Sequence, residues 1–263
     1  MPVFAAPDGA RLHYEIEGHG PPLLLHLGAG CDASLWRAAG YLDDLSKTYG
    51  CILFDHRGHG LSDHPTSSVA NHIDRYADDV VALVGHLGYQ RVSFFGWSNA
   101  VAVGLKAAEQ RPGLFEAMVL FGPIARRATH EQLAAGTKER LTELRSRRWR
   151  YLLDDMTAAE KFPVPQWMLD RITATDIEPY IAWTEARPSW NWSPWDALPL
   201  IDSPTLMIVG ELEDPEDVMG EAASLMRDAS RIRIPDREHI NAFLGSEIVL
   251  PFVSEFLSRH AGL

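Results

Sequence analysis

The stretch SFFGWSNAVAVG, residues 93–104, decides how the chain is read. VSFFG (92–96) is a short apolar run of the kind that forms a buried strand, and residues 99–110 suit a helix. At the corner between them stands Ser98, with Gly96 two residues before it and Ala100 two residues after. One reading makes Ser98 a simple helix cap, with Asn99 and Ala100 opening the helix. The other notes that small residues on both sides let a strand and a helix approach closely, so that the hydroxyl projects above a sheet. The corner alone does not choose between them.

Outward from this corner the same rhythm repeats. Residues 2–5 and 10–17 flank a Pro-Asp-Gly turn and predict a hairpin. PLLLHL (22–27), CILFD (51–55), AMVLF (117–121), TLMIVG (205–210) and RIRIP (231–235) are further short strand candidates. Most are near-continuously apolar, as strands covered on both faces of a parallel sheet are. Between them, Ile73, Tyr76, Val80, Val84 and Leu87 recur at helical spacing, and 33–47, 99–110 and 246–259 also suit helices. Alternating strands and helices after an antiparallel start predict a doubly wound α/β sheet. The segment 124–200 breaks the rhythm. It has no clear strand, is rich in Arg, holds six of the eight tryptophans, and reads as a helical insertion. The domains expected are therefore a core of 1–123 plus 201–263 and a cap of 124–200.

Composition narrows the function classes. A chain of 263 residues with 46% hydrophobic and 10% aromatic residues has the makings of a sizeable core. A formal net charge of −12 argues against nonspecific nucleic-acid binding and anionic membranes. The N-terminus lacks the basic and apolar regions of a secretory signal, and runs such as PPLLLHLGAG are too short to span a bilayer. Cys31 follows one predicted parallel strand and Cys51 begins the next, which places them at opposite ends of the sheet, beyond disulfide reach. They read as free thiols of a cytoplasmic protein.

Reactive groups of an open parallel sheet gather at the carboxyl ends of its strands. Three kinds occur there in chain order: Ser98, then the acidic run Glu211, Glu213 and Asp214 after TLMIVG, then His239 after RIRIP. That is the order an α/β-hydrolase sheet requires. GWSNA resembles the nucleophile elbow of the α/β-hydrolase-fold serine hydrolases. FDHRGHGLS (54–62) resembles the stretch after their fourth strand, and IPDREHINAF (234–243) their histidine loop. The resemblance covers essentially the whole chain, more weakly in the insertion. The fold it implies is an α/β-hydrolase fold: a mostly parallel eight-stranded sheet flanked by helices, with a helical cap.

The activity it implies is esterase- or lactonase-like and needs no cofactor and no metal. A serine hydroxyl is a poor nucleophile until an imidazole takes its proton, and the imidazole needs a carboxylate to orient it. Ser98 and His239 fill the first two roles. For the acid, spacing from Gly210 points to Glu213, while residue type and the following proline point to Asp214; Glu211 reads as a solvated charge. The oxyanion-hole donors implied are the N–H of Asn99 and, in the loop HLGAG, that of Ala29. Leu27 stands where the family usually carries His, and His26 reads as a packed strand-end residue. Asp55 and Arg57 are expected to brace their loop, with His56, His59, His64 and His72 at the surface rather than around a metal.

In the insertion, RPSWNWSPW (187–195) is too dense in Pro and Trp for a regular helix. Trp190 and Trp192, with Trp97 beside the serine, are the substrate-binding candidates. The basic run 138–150 reads mainly as a solvated helix face, with steering of an anionic substrate as the functional alternative. The partner expected is a small ester or lactone, with no nucleic acid and no membrane, and the protein a monomer or homodimer. Relatives of this fold also cleave carbon–carbon bonds, form peracids or split cyanohydrins, and a binding module that has lost catalysis is the rival of another class.

Overall fold

The structure, a computed structural model, describes residues 2–158 and 161–262. Eight strands form one sheet: β1 (Val3–Ala5), β2 (Arg11–Glu17), β3 (Pro22–His26), β4 (Gly50–Phe54), β5 (Val92–Trp97), β6 (Phe115–Phe121), β7 (Thr205–Gly210) and β8 (Ala229–Ile234). Their spatial order is β1-β2-β4-β3-β5-β6-β7-β8. β1 and β2 form the antiparallel hairpin and β2 runs antiparallel to β4, while every pairing from β4 to β8 is parallel. β4 and β5 are buried along their whole length, which is why they carry no alternation. β8 lies at the edge, where Ser230 and Arg231, on opposite faces of the strand, are both exposed.

Helices Ile73–His86, Ala100–Gln110 and Ser246–His260 cover the sheet with their apolar faces, such as Ile73, Tyr76, Val80, Leu83 and Val84 of the first. The stretch 33–47 differs from the single helix expected. It forms two one-turn helices, Leu35–Ala38 and Leu42–Leu45, separated by Gly40 in the left-handed region at φ +82°. Between β6 and β7 the chain makes helices His130–Arg147, Trp149–Thr157, Gln166–Ala174, Glu178–Ala186 and the single turn Pro194–Ala197, with no strand among the described residues. RPSWNWSPW forms a three-residue 3₁₀ turn and the start of the turn at Pro194, with an irregular link between them in which Asn191 stands at φ +47°. Cys31 and Cys51 are both buried and free, and burial pushes both thiols up to about 12.

Four ties bind the helical segment to the loop after β3. Arg171 donates to Asp32 at 3.1 Å and also to Ser34. Thr175 Oγ1 donates to the Gly30 carbonyl at 3.1 Å, and a Cβ on Gly30 would come within 2.9 Å of Ile172. The segment therefore stands over the carboxyl end of β3.

Candidate active site

β5 ends at Trp97, and the chain turns at Ser98, whose φ of +63° is rare for a residue with a side chain. The turn is held by the Ser98 N–H, which donates to the Phe121 carbonyl at 2.8 Å. It is also close-packed: a Cβ on Gly96 would lie 3.1 Å from the Ala100 methyl and 2.5 Å from the Phe94 ring. Gly28 approaches from the other side, where an added Cβ would be 2.4 Å from Ser98 Cβ and 3.0 Å from the Asn99 nitrogen. The Ser98 hydroxyl does not cap the helix. Its Oγ lies 2.9 Å from His239 Nε2.

His239 opens helix His239–Leu244 and is buried. Its Nδ1 is 2.6 Å from Glu213 Oε1. Trp97 stacks on the imidazole, with centroids 4.8 Å apart and planes at 22°, and the other face of that cluster is Phe243, 4.3 Å from Trp97. The histidine loop can settle over the end of β7 because Gly210 has no side chain, since a Cβ there would lie 2.4 Å from the Arg237 carbonyl oxygen. Arg233 braces the acidic loop by donating to the carbonyls of Glu211 and Asp214 at 3.2 and 2.9 Å.

The two acid candidates have separate surroundings. Glu213 meets His239, whereas the buried Asp214 carboxylate accepts the N–H groups of Val218 at 2.8 Å and Met219 at 3.0 Å. Asp214 thereby satisfies the open amides at the start of helix Val218–Leu225. Trp97 is almost fully buried, so its contact with the histidine outweighs what it shows to the cavity.

Two cavities meet at the serine. One of about 400 Å³ is lined by Ser98, Ala29, Asn99, Arg140, Trp149 and Glu213, among others. The second, of about 290 Å³, shares Ser98, Asn99 and His239 and runs past Arg187, Trp190 and Trp192. Ala29 and Asn99 thus both border the space in front of Ser98.

Behind the loop that carries Ala29 sits a group the sequence reading misplaced. His56 and His59 are buried, not at the surface. They pack with His26 in a stack whose centroids are 5.0 Å apart for His26–His56 and 4.0 Å for His56–His59. The missing side chains of Gly58 and Gly60, both at positive φ, let this turn tuck inward; a Cβ on Gly60 would strike the Asp55 carboxylate at 2.2 Å. His59 Nε2 accepts the Gly30 N–H at 2.9 Å, so the ring must be neutral there, and His26 Nδ1 donates to the Leu27 carbonyl at 2.8 Å. Burial pushes His26 and His59 down to about 4 and His56 well below the ordinary value. The sequence signal for this was present in the adjacent Asp55. Its carboxylate takes the Ala33 N–H at 2.7 Å, the Leu61 N–H at 3.0 Å and His13 at 2.9 Å, pulling the whole turn under the β3 loop. Arg57 is equally fixed, donating to Asp79 at 2.7 and 2.6 Å and to Asp8 at 2.8 Å.

Of the basic run 138–150, Arg145, Arg147, Arg148 and Arg150 pair with carboxylates at the surface, while Arg140 turns inward and donates to the Tyr180 hydroxyl at 3.0 Å. Arg187, outside the run, also borders the site and carried no signal in the sequence.

Comparison with known proteins bears on this geometry. Over 125 residues the chain is 31% identical to the non-heme haloperoxidase of Rhodococcus erythropolis, covering 47% of this chain and 44% of that protein. The chain matches less than half the length of such curated relatives. Among solved structures, a thermophilic esterase from Thermogutta terrifontis is similar at a TM-score of 0.83 and 21% identity, over 98% of this chain and 99% of that one. The enol-lactonase of Burkholderia xenovorans LB400 is similar at a TM-score of 0.79 and 25% identity, over 98% and 100%. Residues 21–246 match the family model of the alpha/beta hydrolase fold. With that match spanning most of the chain, and an eight-stranded sheet in the order and direction described, the protein belongs to the α/β-hydrolase-fold family.

Proposed function

We propose that the protein is a serine hydrolase of small carboxylic esters or lactones. The observation that carries this is the line Ser98 Oγ, His239 Nε2, His239 Nδ1, Glu213 Oε1, with gaps of 2.9 and 2.6 Å across its two contacts. Ser98 Oγ attacks the carbonyl carbon and passes its proton to His239 Nε2. Glu213 holds the ring so that Nε2 faces the serine, and stabilises the imidazolium that forms. The negative charge moves to the carbonyl oxygen, where the N–H groups of Ala29 and Asn99 receive it. Collapse breaks the bond to the alcohol oxygen, which takes the proton from Nε2. Water then attacks the acyl-enzyme, losing a proton to the same nitrogen, and Ser98 Oγ leaves with that proton as the acid departs. In this reading the helical segment 124–200 is the cap, and Trp190 and Trp192 line the substrate's path. Asp214 is a structural carboxylate and Trp97 a positioning residue for His239.

The test is labelling with a fluorophosphonate together with ester turnover. A covalent adduct on Ser98, abolished in Ser98→Ala along with about 10⁴-fold or more of kcat, is the expected result. Wild-type turnover in Ser98→Ala overturns the reading. A second reading has peroxide in place of water as the acyl acceptor, and the likeness to the Rhodococcus haloperoxidase favours it. Peracid formation outpacing hydrolysis in a shared assay decides for it.

A further inference from the structure

The cavity that runs from Ser98 past Trp190 and Trp192 has an uneven charge. Its lining includes Arg126 and Arg187 and not one Asp or Glu. Arg126 is exposed and its guanidinium meets Glu216 at 2.5 Å, so its charge is answered at the rim. Arg187 is different. Among the described residues no carboxylate lies within ion-pair distance of it, and its guanidinium carbon stands 5.9 Å from the Trp190 ring centroid. Its neighbours along the segment do not share this condition, since Arg145, Arg147, Arg148, Arg150 and Arg171 each have a carboxylate within reach. The contrast extends to the first cavity, where Arg140 shares the lining with Glu213 and Glu238.

Arg187 is half-buried, and a guanidinium partly withdrawn from water without a carboxylate partner costs the free protein stability. Burial draws the pKa of Arg187 below the usual arginine value; Tyr180 opposes that and the charge of Arg140 adds to it. The protein as a whole carries −12, so carboxylates were plentiful on the chain and are absent from this wall. An arginine fork is also the side chain that matches a carboxylate in two parallel hydrogen bonds. We infer that the substrate carries a carboxylate of its own, bound by Arg187 in the Trp190–Trp192 cavity while its ester or lactone carbonyl lies at Ser98. This rests on the serine-hydrolase reading above and adds the substrate class to it. A cavity of about 290 Å³ suits a short-chain half-ester or a small lactone acid rather than a long acyl chain.

Two matched pairs test it, with the charge on either half of the ester. Monomethyl succinate is compared with dimethyl succinate, and O-acetylglycolate with its methyl ester. The ratio of kcat/KM within a pair, taken on one preparation, does not depend on how much protein is folded. In the wild type at least one ratio is expected to favour the charged member by about 10- to 100-fold, as a charge-assisted pair to arginine provides. In Arg187→Gln that ratio falls towards one, and Arg187→Lys keeps part of it. Binding gives an independent readout: Ser98→Ala binds the preferred charged ester without turning it over, and the added Arg187→Gln change removes that binding. Neutral esters preferred in both pairs, or a preference that survives Arg187→Gln, overturns the inference. Fluorophosphonate labelling keeps the two levels apart. If Ser98 labels but no charged ester binds, only the carboxylate site fails; if Ser98 stays unlabelled while charged-ester binding still depends on Arg187, the site stands and the hydrolase reading falls.

Discussion

The carboxyl edge of the sheet and the helical segment above it treat polar groups in opposite ways. At the edge several charged groups are buried and multiply bonded: Asp55 takes three donors, Arg57 reaches two carboxylates, and Asp214 closes the start of a helix. In the segment, most arginines stand at the surface in exposed ion pairs, such as Arg145 with Glu185 and Arg148 with Glu178. The indole N–H groups of Trp190 and Trp192 are buried with no partner among the described residues. Fully bonded groups hold their neighbours still, and that is what the proposed Ser98–His239–Glu213 triad needs. Unanswered donors and cations beside a cavity await something from outside. Under the proposed function, the difference teaches that positioning for chemistry and choice of substrate reside in different stretches of the chain.

The largest effect that would break this contrast concerns two neighbouring carboxylates. Glu213→Gln is expected to lower kcat by about 10³- to 10⁴-fold, because an amide at that place no longer favours the charged imidazole. Asp214→Asn keeps most turnover and loses about 1 kcal/mol of stability, as a weakened helix cap does. Ester kinetics beside thermal melting separates the two; a turnover loss in Asp214→Asn as deep as that in Glu213→Gln would reverse their roles.

Next in size is the buried ion pair under the edge. Arg57→Met leaves the Asp79 carboxylate buried without its two bonds and is expected to destabilise the protein by about 3–5 kcal/mol, read from denaturant midpoints. Restoring the balance with Asp79→Leu in the same chain should recover part of that loss, since a matched apolar pair avoids the lone charge.

The histidine stack supplies a pH dependence. His26 and His59 have folded values of about 4 against an ordinary 6.5, and His56 lies well below it too. Lowered folded values mean that the unfolded chain binds protons first, so stability is whole above about 6.5 and drains away as pH falls towards about 4. Each such proton contributes up to about 1.4 kcal/mol per pH unit in that window. His59→Phe is expected to flatten the slope by up to one proton and to slow turnover even at neutral pH, because the Gly30 N–H loses its acceptor beside Ala29. An unchanged slope in unfolding experiments from pH 4 to 7 would show that the stack does not govern acid stability.

How much of this was readable beforehand follows the same division. The strands were legible because both-face burial writes itself as unbroken apolar runs such as CILF and VSFF. The serine corner was legible through Gly96, whose missing side chain answers a steric need that the structure shows at 3.1 Å from Ala100. The histidines at 56 and 59 were misread as surface residues because burial of a neutral imidazole depends on partners 20 to 30 residues away, Gly30 among them, and leaves no local pattern. Trp97 borders the cavity at Ser98, while its stacking on His239, which comes from the far end of the chain, left no local trace. Arg187 carried no signal at all: a cation without a counterion differs from one with a counterion only in three dimensions. Between Glu213 and Asp214, one residue of spacing decided which carboxylate reaches the histidine, and residue type pointed the other way.

The smallest expected effect sharpens the contrast from the segment's side. Arg145 and Glu185 join helix His130–Arg147 to helix Glu178–Ala186 at 3.1 Å, with both side chains about half exposed. Water already solvates both charges, and two long side chains lose rotamer freedom to meet, so such a pair contributes only about 0.2–1 kcal/mol. Arg145→Ala should therefore move the melting temperature by no more than about 2–4 °C and leave the acid slope of the histidine stack untouched. Raising the salt concentration should erase even that difference, because exposed pairs are screened. A loss approaching that of Arg57→Met would mean that the segment, too, is held by its charges. The division between a bonded edge and an adaptable cover would then fail.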